Sequence, residues 1–252
     1  MIVTLTKDLR ILDLFLRSVE DQSQVIAGID DSKILTVYKQ YDCQIIKVNE
    51  IYNDPFLSLF TTFKKCILIN HLIEKGHRNF LFCDDDCIIL KSVNLEKTRV
   101  RSAITVDFTQ IPIGKIFDQK RLRYESGHFV LNLSENEAQL YIDTFYQFVA
   151  LMREHAYLFF PQEEDNFKLV RECAFNMWVI DGVFLNQFFD QISKIEDYGM
   201  ALTLTDIKAK RLSCFELYLK QHELDCPILH FDTPVDKNKF MQLFYDIKTT
   251  KG

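Results

Sequence analysis

Short apolar segments alternate with helix-like segments in the first half of the chain, and this alternation limits the folds open to it. Compact apolar runs that are typical of strands occupy residues 2–6, 25–29, 43–48 and 80–83. Helical spacing of apolar residues covers 8–20, and Asp54-Pro55 offers an N-cap and a first-turn proline for a helix that ends at Gly76. Strands that alternate with helices pair in parallel and need helices on both faces of the sheet. The sequence therefore predicts an α/β fold with a mostly parallel central sheet.

The second half of the chain is more mixed. Further strands are predicted at residues 88–90, 103–108, 128–133 and 227–231. Ser134 and Glu137 form a capping box for a helix that runs through about residue 154. Other segments are predicted as a polar loop over 155–172 and helices over 181–192 and 236–248. Because no repeat, low-complexity segment or break in composition interrupts the chain, we expect a single domain over residues 1–252.

Composition narrows the classes of function. Hydrophobic residues make up 48% of the chain and include 22 Phe, which predicts a large aromatic core. Lys and Arg total 30 against 36 Asp and Glu, so the net charge is −6, and binding of nucleic acid through the overall field is not expected. We see no signal peptide and no apolar run of about 18 residues, so no transmembrane segment is expected. The seven irregularly spaced cysteines favour free thiols and a cytoplasmic location.

Three consecutive carboxylates, Asp84, Asp85 and Asp86, interrupt an apolar strand. Two like charges 4 Å apart repel by roughly 4 kcal/mol at an effective dielectric constant of 20, so a counter-cation is expected there. Strand alternation places Asp84 and Asp86 on one face, where both can hold one divalent ion. Oxygen ligands suit Mn²⁺ or Mg²⁺. The alternative is an acidic turn that is simply solvated.

An apolar strand that ends in Asp-x-Asp resembles the metal-binding strand of the nucleotide-sugar glycosyltransferases of the GT-A fold. Four further segments are similar to this family in order, namely Phe63–Leu68, Tyr124–Leu133, Trp178–Asn186 and Ile228–Phe231, the last followed by Lys237. The Ser-Gly segment and the late His and Lys are most similar to the retaining, glycogenin-like group. The resemblance implies a single GT-A-type domain with a Rossmann-like sheet, a nucleotide-binding half (1–110) and a smaller, mixed acceptor-binding half (111–252).

The resemblance also implies roles for individual residues. The metal ligands would be Asp84, Asp86 and His230. The residues that contact the nucleotide-sugar would be Thr4, Asp30, Asp31, Lys65, Asp84, Asp85, Ser126, Gly127 and Lys237. Asp181, which is predicted to open a helix, would be the catalytic carboxylate or would orient a substrate, although N-capping alone also explains it. The only tryptophan, Trp178, would stack on a sugar ring or pack in the core.

These residues predict a Mn²⁺- or Mg²⁺-dependent glycosyltransferase, a hexosyl- or pentosyltransferase of the retaining type. Its donor would be a nucleotide-sugar, above all a UDP-sugar, and its acceptor a glycan, a glycoprotein or a glycolipid. Clustered aspartates also serve metal-dependent phosphoester hydrolases and nucleotidyltransferases. A non-catalytic, sugar-binding relative is a third reading, because Glu125 stands where the family usually has Asn. The sugar, the acceptor, the stereochemistry and the oligomeric state are left open.

Overall fold

The computed structural model describes residues 1–30, 42–108, 111–119, 121–162, 166–192, 194–197, 201–203, 227–231, 239 and 241–246. Asp31 and Lys237 lie outside these ranges. The strands are β1 (Ile2–Thr6), β2 (Val25–Ile29), β3 (Gln44–Lys47), β4 (Asn79–Asp84), β5 (Cys87–Ile89), β6 (Arg99–Asp107), β7 (Arg121–Asn132), β8 (Glu196–Asp197), β9 (Ala201–Thr203) and β10 (Ile228–His230). The helices are α1 (Leu9–Arg17), α2 (Val48–Ile51), α3 (Pro55–Ser58), α4 (Lys64–Glu74), α5 (Pro112–Ile116), α6 (Glu135–Glu154) and α7 (Phe167–Phe189), with short 3₁₀ turns at Gln22–Gln24 and Ala156–Leu158.

Seven strands form the main sheet in the order β3-β2-β1-β4-β7-β6-β8. The pairs β3–β2, β2–β1, β1–β4 and β6–β8 are parallel, whereas β7 runs antiparallel to both β4 and β6. A second sheet, in the order β5-β10-β9, is mixed. The predicted α/β fold with a mostly parallel central sheet is therefore confirmed.

Helices cover both faces of the main sheet because side chains alternate along its buried strands. One face, which includes Val3, Phe80 and Phe82, packs against the apolar sides of α4, α6 and α7. The opposite face, which includes Leu81 and Cys83, packs against α1. A fully buried side chain of this size contributes about 1.5–3 kcal/mol, so these two layers account for much of the stability of the fold.

Helix starts agree with their local signals. The side chain of Asp54 accepts a hydrogen bond from the Phe56 amide, ahead of Pro55 in the first turn of α3. Ser134 and Glu137 form the predicted capping box at the start of α6, which ends at Glu154. Both caps satisfy amide groups that a helix start leaves without a partner, so they fix where each helix begins.

Two helix predictions are wrong. The single helix expected over 54–76 is two helices, α3 and α4, because Phe60 and Phe63 both turn into the core between them. In the same segment the Thr62 hydroxyl donates a hydrogen bond to the Met177 carbonyl, 2.9 Å away. The loop expected over 155–172 instead contains a 3₁₀ turn and the start of α7, whose N-cap is Asn166. Asp181 therefore lies well inside a helix and does not open one.

Other boundaries differ by a few residues. Strands β6 and β7 are longer than predicted, and α1 is shorter. Within the part of the predicted 236–248 helix that the structure describes, residues 241–246 are helical. The five cysteines among the described residues are free thiols. No helix in the described part of the chain has the length and apolar character needed to cross a membrane.

Candidate active site

The carboxyl ends of β1, β2 and β4 meet at one edge of the main sheet. Thr6 ends β1 and pairs with Ile29, the last residue of β2, while Asp84 ends β4 next to Leu5. This edge is where open α/β sheets bind their ligands, because the loops that follow parallel strands converge there. The acidic triplet therefore lies at the position that the fold favours for a binding site.

Each carboxylate of the triplet faces a different partner. Asp84 lies 3.1 Å from the ammonium of Lys65, Asp85 accepts a hydrogen bond from the Thr6 hydroxyl, and Asp86 Oδ1 lies 3.3 Å from His230 Nε2. Strand alternation does not set the directions of these side chains, because β4 ends at Asp84 and the next two residues form a turn. The turn, rather than the pleat of a strand, sets the three directions.

Lys65 is the centre of a buried ion network. Its ammonium contacts Asp84, Asp181 Oδ2 at 3.0 Å and the Ser126 carbonyl at 3.2 Å, so three acceptors match its three protons. Burial alone would lower the pKa of Lys65, but the charges of Asp84 and Asp181 outweigh burial and raise it. Lys65 therefore carries its charge throughout the physiological pH range.

The ionised form of Asp84 is less stable than its contact with Lys65 alone would suggest. Burial raises the pKa of Asp84, and although Lys65 lowers it, the nearby charge of Asp86 raises it again. The net direction is upward, mainly because the carboxyl group is buried, and the second carboxylate at the same end of the strand adds to the effect. A divalent cation between Asp84 and Asp86 would remove that repulsion.

His230 reaches the site from the second sheet. Pairing of β10 with β5 places His230 opposite Cys87, and the Phe231 amide donates a hydrogen bond of 2.9 Å to the Asp86 carbonyl. The imidazole ring then lies against Gly127, where an added Cβ would be only 2.4 Å from His230 Cε1. Gly127 is therefore required as glycine because the His230 ring occupies the space of a side chain.

Two residues of β7, Glu125 and His128, lie beside His230, and the sequence argument did not select them as site residues. The rings of His128 and His230 are 5.3 Å apart, and His128 Nδ1 is 3.9 Å from Glu125 Oε2. His128 has no exposed surface, and burial, with further contributions from His230 and Arg101, lowers its pKa well below the ordinary value. His128 is therefore a neutral imidazole.

Of the predicted nucleoside-contacting residues, Asp30 already has charged partners and Thr4 is buried. Asp30 accepts a hydrogen bond from Lys64 and lies 3.6 Å from the ammonium of Lys7. Thr4 is fully buried inside β1, two residues before the strand ends, and Thr6 is the residue whose hydroxyl reaches the acidic triplet. Lys64 was not singled out from the sequence, although its place next to Lys65 marks it as a candidate.

The residues around Asp86 fit a divalent cation. Asp86, Cys87 and His230 each offer a ligand atom, and these atoms all lie within 4.8 Å of one another. The 3.3 Å between Asp86 Oδ1 and His230 Nε2 suits neighbouring ligands of one ion, and both residues are more than 90% buried. The predicted ligand Asp84 is not one of these three residues, and its carboxylate contacts Lys65. The carboxylate of Asp86 and the imidazole of His230 suit Mn²⁺, and oxygen donors also suit Mg²⁺.

Helix α7 passes from an exposed to a buried stretch about one turn before Asp181. Trp178 is 67% exposed and is not part of the core, so packing does not explain this tryptophan. From Val179 to Asn186 every residue of the helix is buried. The helix therefore presents an aromatic ring to solvent and, one turn later, a carboxylate to Lys65.

The fold is similar to that of known glycosyltransferases. The apo structure of the bifunctional glycosyltransferase WbbM aligns with a TM-score of 0.50 and 9% identity over 98% of this chain and 51% of that chain. Two further structures align less closely. A glycosyltransferase involved in glycosylation of the major capsid of PBCV-1 aligns with a TM-score of 0.47 and 10% identity, over 96% of this chain and 98% of that chain. The glycosyltransferase GlyE of Streptococcus pneumoniae TIGR4 aligns with a TM-score of 0.48 and 13% identity, over 98% of this chain and 59% of that chain.

At this level of identity the likeness is one of fold. The chain spans about half the length of WbbM and 59% of GlyE. No protein-family model matches the sequence, and no curated protein matches it significantly.

Proposed function

We propose that this chain is a divalent-metal-dependent glycosyltransferase. It moves a sugar from a nucleotide-sugar donor, above all a UDP-sugar, to a hydroxyl group of a glycan, glycoprotein or glycolipid acceptor. The observation that supports this most is the position of the Lys65 ion network beside the Asp86–His230 pair. Both lie at the ligand-binding edge of a sheet whose fold is shared with a glycosyltransferase.

Asp84, Asp86 and His230 would hold Mn²⁺ or Mg²⁺. When bound, the ion neutralises the charge that develops on the diphosphate leaving group. The protein contributes the two carboxylates from the turn after β4 and the imidazole from β10, and backbone pairing fixes their relative positions. Gly127 keeps the His230 ring in place by leaving room for it.

Lys65 places a permanent positive charge next to the donor. Its ammonium is held by Asp84, Asp181 and the Ser126 carbonyl before any substrate arrives, so little reorganisation is needed when negative charge develops nearby. Preorganised charge of this kind is commonly the largest contribution to transition-state stabilisation. Lys65 therefore stabilises the departing nucleoside diphosphate.

Asp181 holds Lys65 and does not serve as the general base. Its Oδ2 atom lies 3.0 Å from the ammonium, so that oxygen is already engaged. An inverting enzyme needs a carboxylate that receives the acceptor proton. The engagement of Asp181 with Lys65 supports a retaining reaction, in which this residue orients the ammonium and, through it, the donor.

The remaining predicted residues complete the donor site. Asp30, together with Asp31, would bind the nucleoside, with Thr4 and Asp85 close to the same strand ends. Ser126 and Gly127 would line the sugar side, and Lys237 would contact the diphosphate. Lys64 and Lys7, which contact Asp30, add positive charge near the nucleotide.

A panel of nucleotide-sugars tests the proposal. We expect Mn²⁺-dependent release of a nucleoside diphosphate from at least one donor, and transfer of its sugar when an acceptor is present. Asp86→Asn should lower this activity at least about 100-fold, because an ion in such a site contributes several kcal/mol. Asp143→Asn, the same change on the exposed face of α6, is the matched control and should keep full activity.

The other readings predict different results. Cleavage of a simple phosphoester that is lost in Asp86→Asn, with no sugar transferred, would favour a hydrolase. Metal-dependent nucleotide binding without turnover of any donor would favour a non-catalytic relative. Absence of both turnover and metal-dependent nucleotide binding would overturn the proposal.

A further inference from the structure

A second group of metal-ligating side chains also includes His230. Glu125, His128 and His230 each offer one ligand atom, and these atoms all lie within 4.8 Å of one another. His128 and His230 are more than 90% buried, and Glu125 is partly buried. This group contains two imidazoles and one carboxylate, whereas the aspartate turn supplies mainly oxygen.

The spacing of the group fits shared ligation. His128 Nδ1 and Glu125 Oε2 are 3.9 Å apart, which is too long for a hydrogen bond. Two ligands about 2.0–2.2 Å from a tetrahedral ion are separated by roughly 3.4 Å, so a small side-chain adjustment brings these atoms to one ion. The two imidazole rings, with centroids 5.3 Å apart, meet at 63° and do not stack face to face.

Strand geometry holds the group together. Glu125 and His128 are on β7, where His128 pairs with Cys83 of β4, and His230 is on β10. Arg101 of β6 lies 3.8 Å from Glu125 Oε1, and His128 Nδ1 lies 3.9 Å from Oε2. The carboxylate thus lies between the guanidinium of Arg101 and the imidazole of His128.

We propose that Glu125, His128 and His230 form a second divalent-cation site, suited to ions such as Zn²⁺ or Co²⁺ that favour imidazole nitrogen. The site shares His230 with the one proposed for sugar transfer, and it needs no donor. A neutral imidazole has one lone pair for a metal, so His230 serves one of the two sites at a time. An ion held by Glu125 and His128 therefore draws His230 away from Asp86 and weakens the other site.

Binding of Co²⁺ to the full chain, without nucleotide, tests this site in a variant in which the Asp86 site has been removed. We expect Asp86→Asn to bind one Co²⁺, with visible absorption from nitrogen ligation. Adding Glu125→Gln should weaken this binding at least about 10-fold. Adding Glu154→Gln, an exposed change at the end of α6, should leave it unchanged. The proposal is overturned if Asp86→Asn no longer binds Co²⁺, or if Glu125→Gln has no effect in that background.

If the variants fold poorly, NMR of the histidine ring nitrogens in the wild-type chain tests the site instead. On addition of Zn²⁺, the ring nitrogens of both His128 and His230 should shift, with His128 assigned from His128→Gln. A shift of His230 alone would place the ion at Asp86 only and would overturn the proposal. Because no donor is present in either experiment, the result does not depend on whether the chain transfers sugar.

Discussion

The two sides of the acidic turn differ in how their charge is balanced. On one side, Asp84 and Asp181 surround the ammonium of Lys65, a positive charge that belongs to the chain. On the other side, Asp86 faces the imidazole of His230, which carries a charge only when it is protonated. Three consecutive carboxylates thus lie in two electrostatic environments.

Because of this difference, one side of the turn should contribute mainly to stability and the other mainly to ligand binding. A buried ion pair that is complete within the chain is costly to break, because removal of one partner leaves the other charge without compensation. A carboxylate beside imidazoles instead offers ligand atoms to a cation from solution. We therefore expect changes on the Lys65 side to act first on folding, and changes on the His230 side to act first on metal binding.

Substitution of Lys65 should have the largest effect on stability. Lys65→Met keeps much of the side-chain volume but leaves Asp84 and Asp181 without their shared cation. We expect the free energy of unfolding at pH 7 to fall by about 3–5 kcal/mol, the usual cost of breaking a buried ion pair. Urea denaturation followed by circular dichroism measures the change.

A surface pair provides the control for Lys65. Lys47 and Glu50 form an ion pair of 2.6 Å, but their side chains are 36% and 68% exposed. Lys47→Met should therefore cost less than about 1 kcal/mol. If Lys65→Met were as mild as Lys47→Met, the two sides of the turn would not differ in the way described.

Gly127→Ala should test the His230 side with a smaller effect on stability. The new methyl group would lie 2.4 Å from His230 Cε1, so the ring must move away from Asp86. Overpacking of this kind costs about 1–3 kcal/mol. We expect Mn²⁺ affinity, measured by calorimetry, to fall along with stability, because the displaced ring no longer meets Asp86 Oδ1.

Gly182→Ala is the matched control for Gly127→Ala. Gly182 lies inside α7, and an added Cβ would meet Leu122 at 3.6 Å, an ordinary contact distance. Replacement of a helical glycine by alanine should raise stability by up to about 1 kcal/mol. Equal loss of Mn²⁺ affinity in both variants would contradict the role given to the His230 ring.

Local signals were sufficient for much of the fold. The apolar strand before Asp84 and the capping box at Ser134 were predicted correctly, because strand ends and caps depend on neighbouring residues. The start of α7 was missed because Lys168, Arg171 and Glu172 made its first turns look like part of a polar loop. That error placed Asp181 at the start of a helix instead of inside one.

The contacts within the site could not be derived from the sequence in the same way. The pairing of Lys65 with Asp181 joins α4 to α7, and the approach of His230 to Gly127 joins two sheets. Such contacts depend on how distant elements pack, which short motifs do not determine. His128 in particular looked like an ordinary strand residue, since its position near His230 depends on the pairing of β7 with β4 and of β10 with β5.

The smallest expected effect is the contribution of His128, on the His230 side of the turn, to the pH dependence of stability. The pKa of His128 is far below its ordinary value in the folded chain, whereas in the unfolded chain it is about 6.5. Below pH 6.5 the unfolded state therefore binds a proton that the folded state excludes, and stability falls with pH by up to about 1.4 kcal/mol per unit.

Comparison with His128→Gln isolates this contribution. Asp84, whose pKa is raised, acts in the opposite direction as pH falls, because its folded form takes up the proton first, and Lys65 stays charged throughout. Urea denaturation in metal-free buffer should give a wild-type curve that drops roughly 1 kcal/mol more than the variant between pH 6.5 and 5.5. Parallel curves would mean that His128 accepts a proton in the folded chain, and both sides of the turn would then carry fixed positive charge.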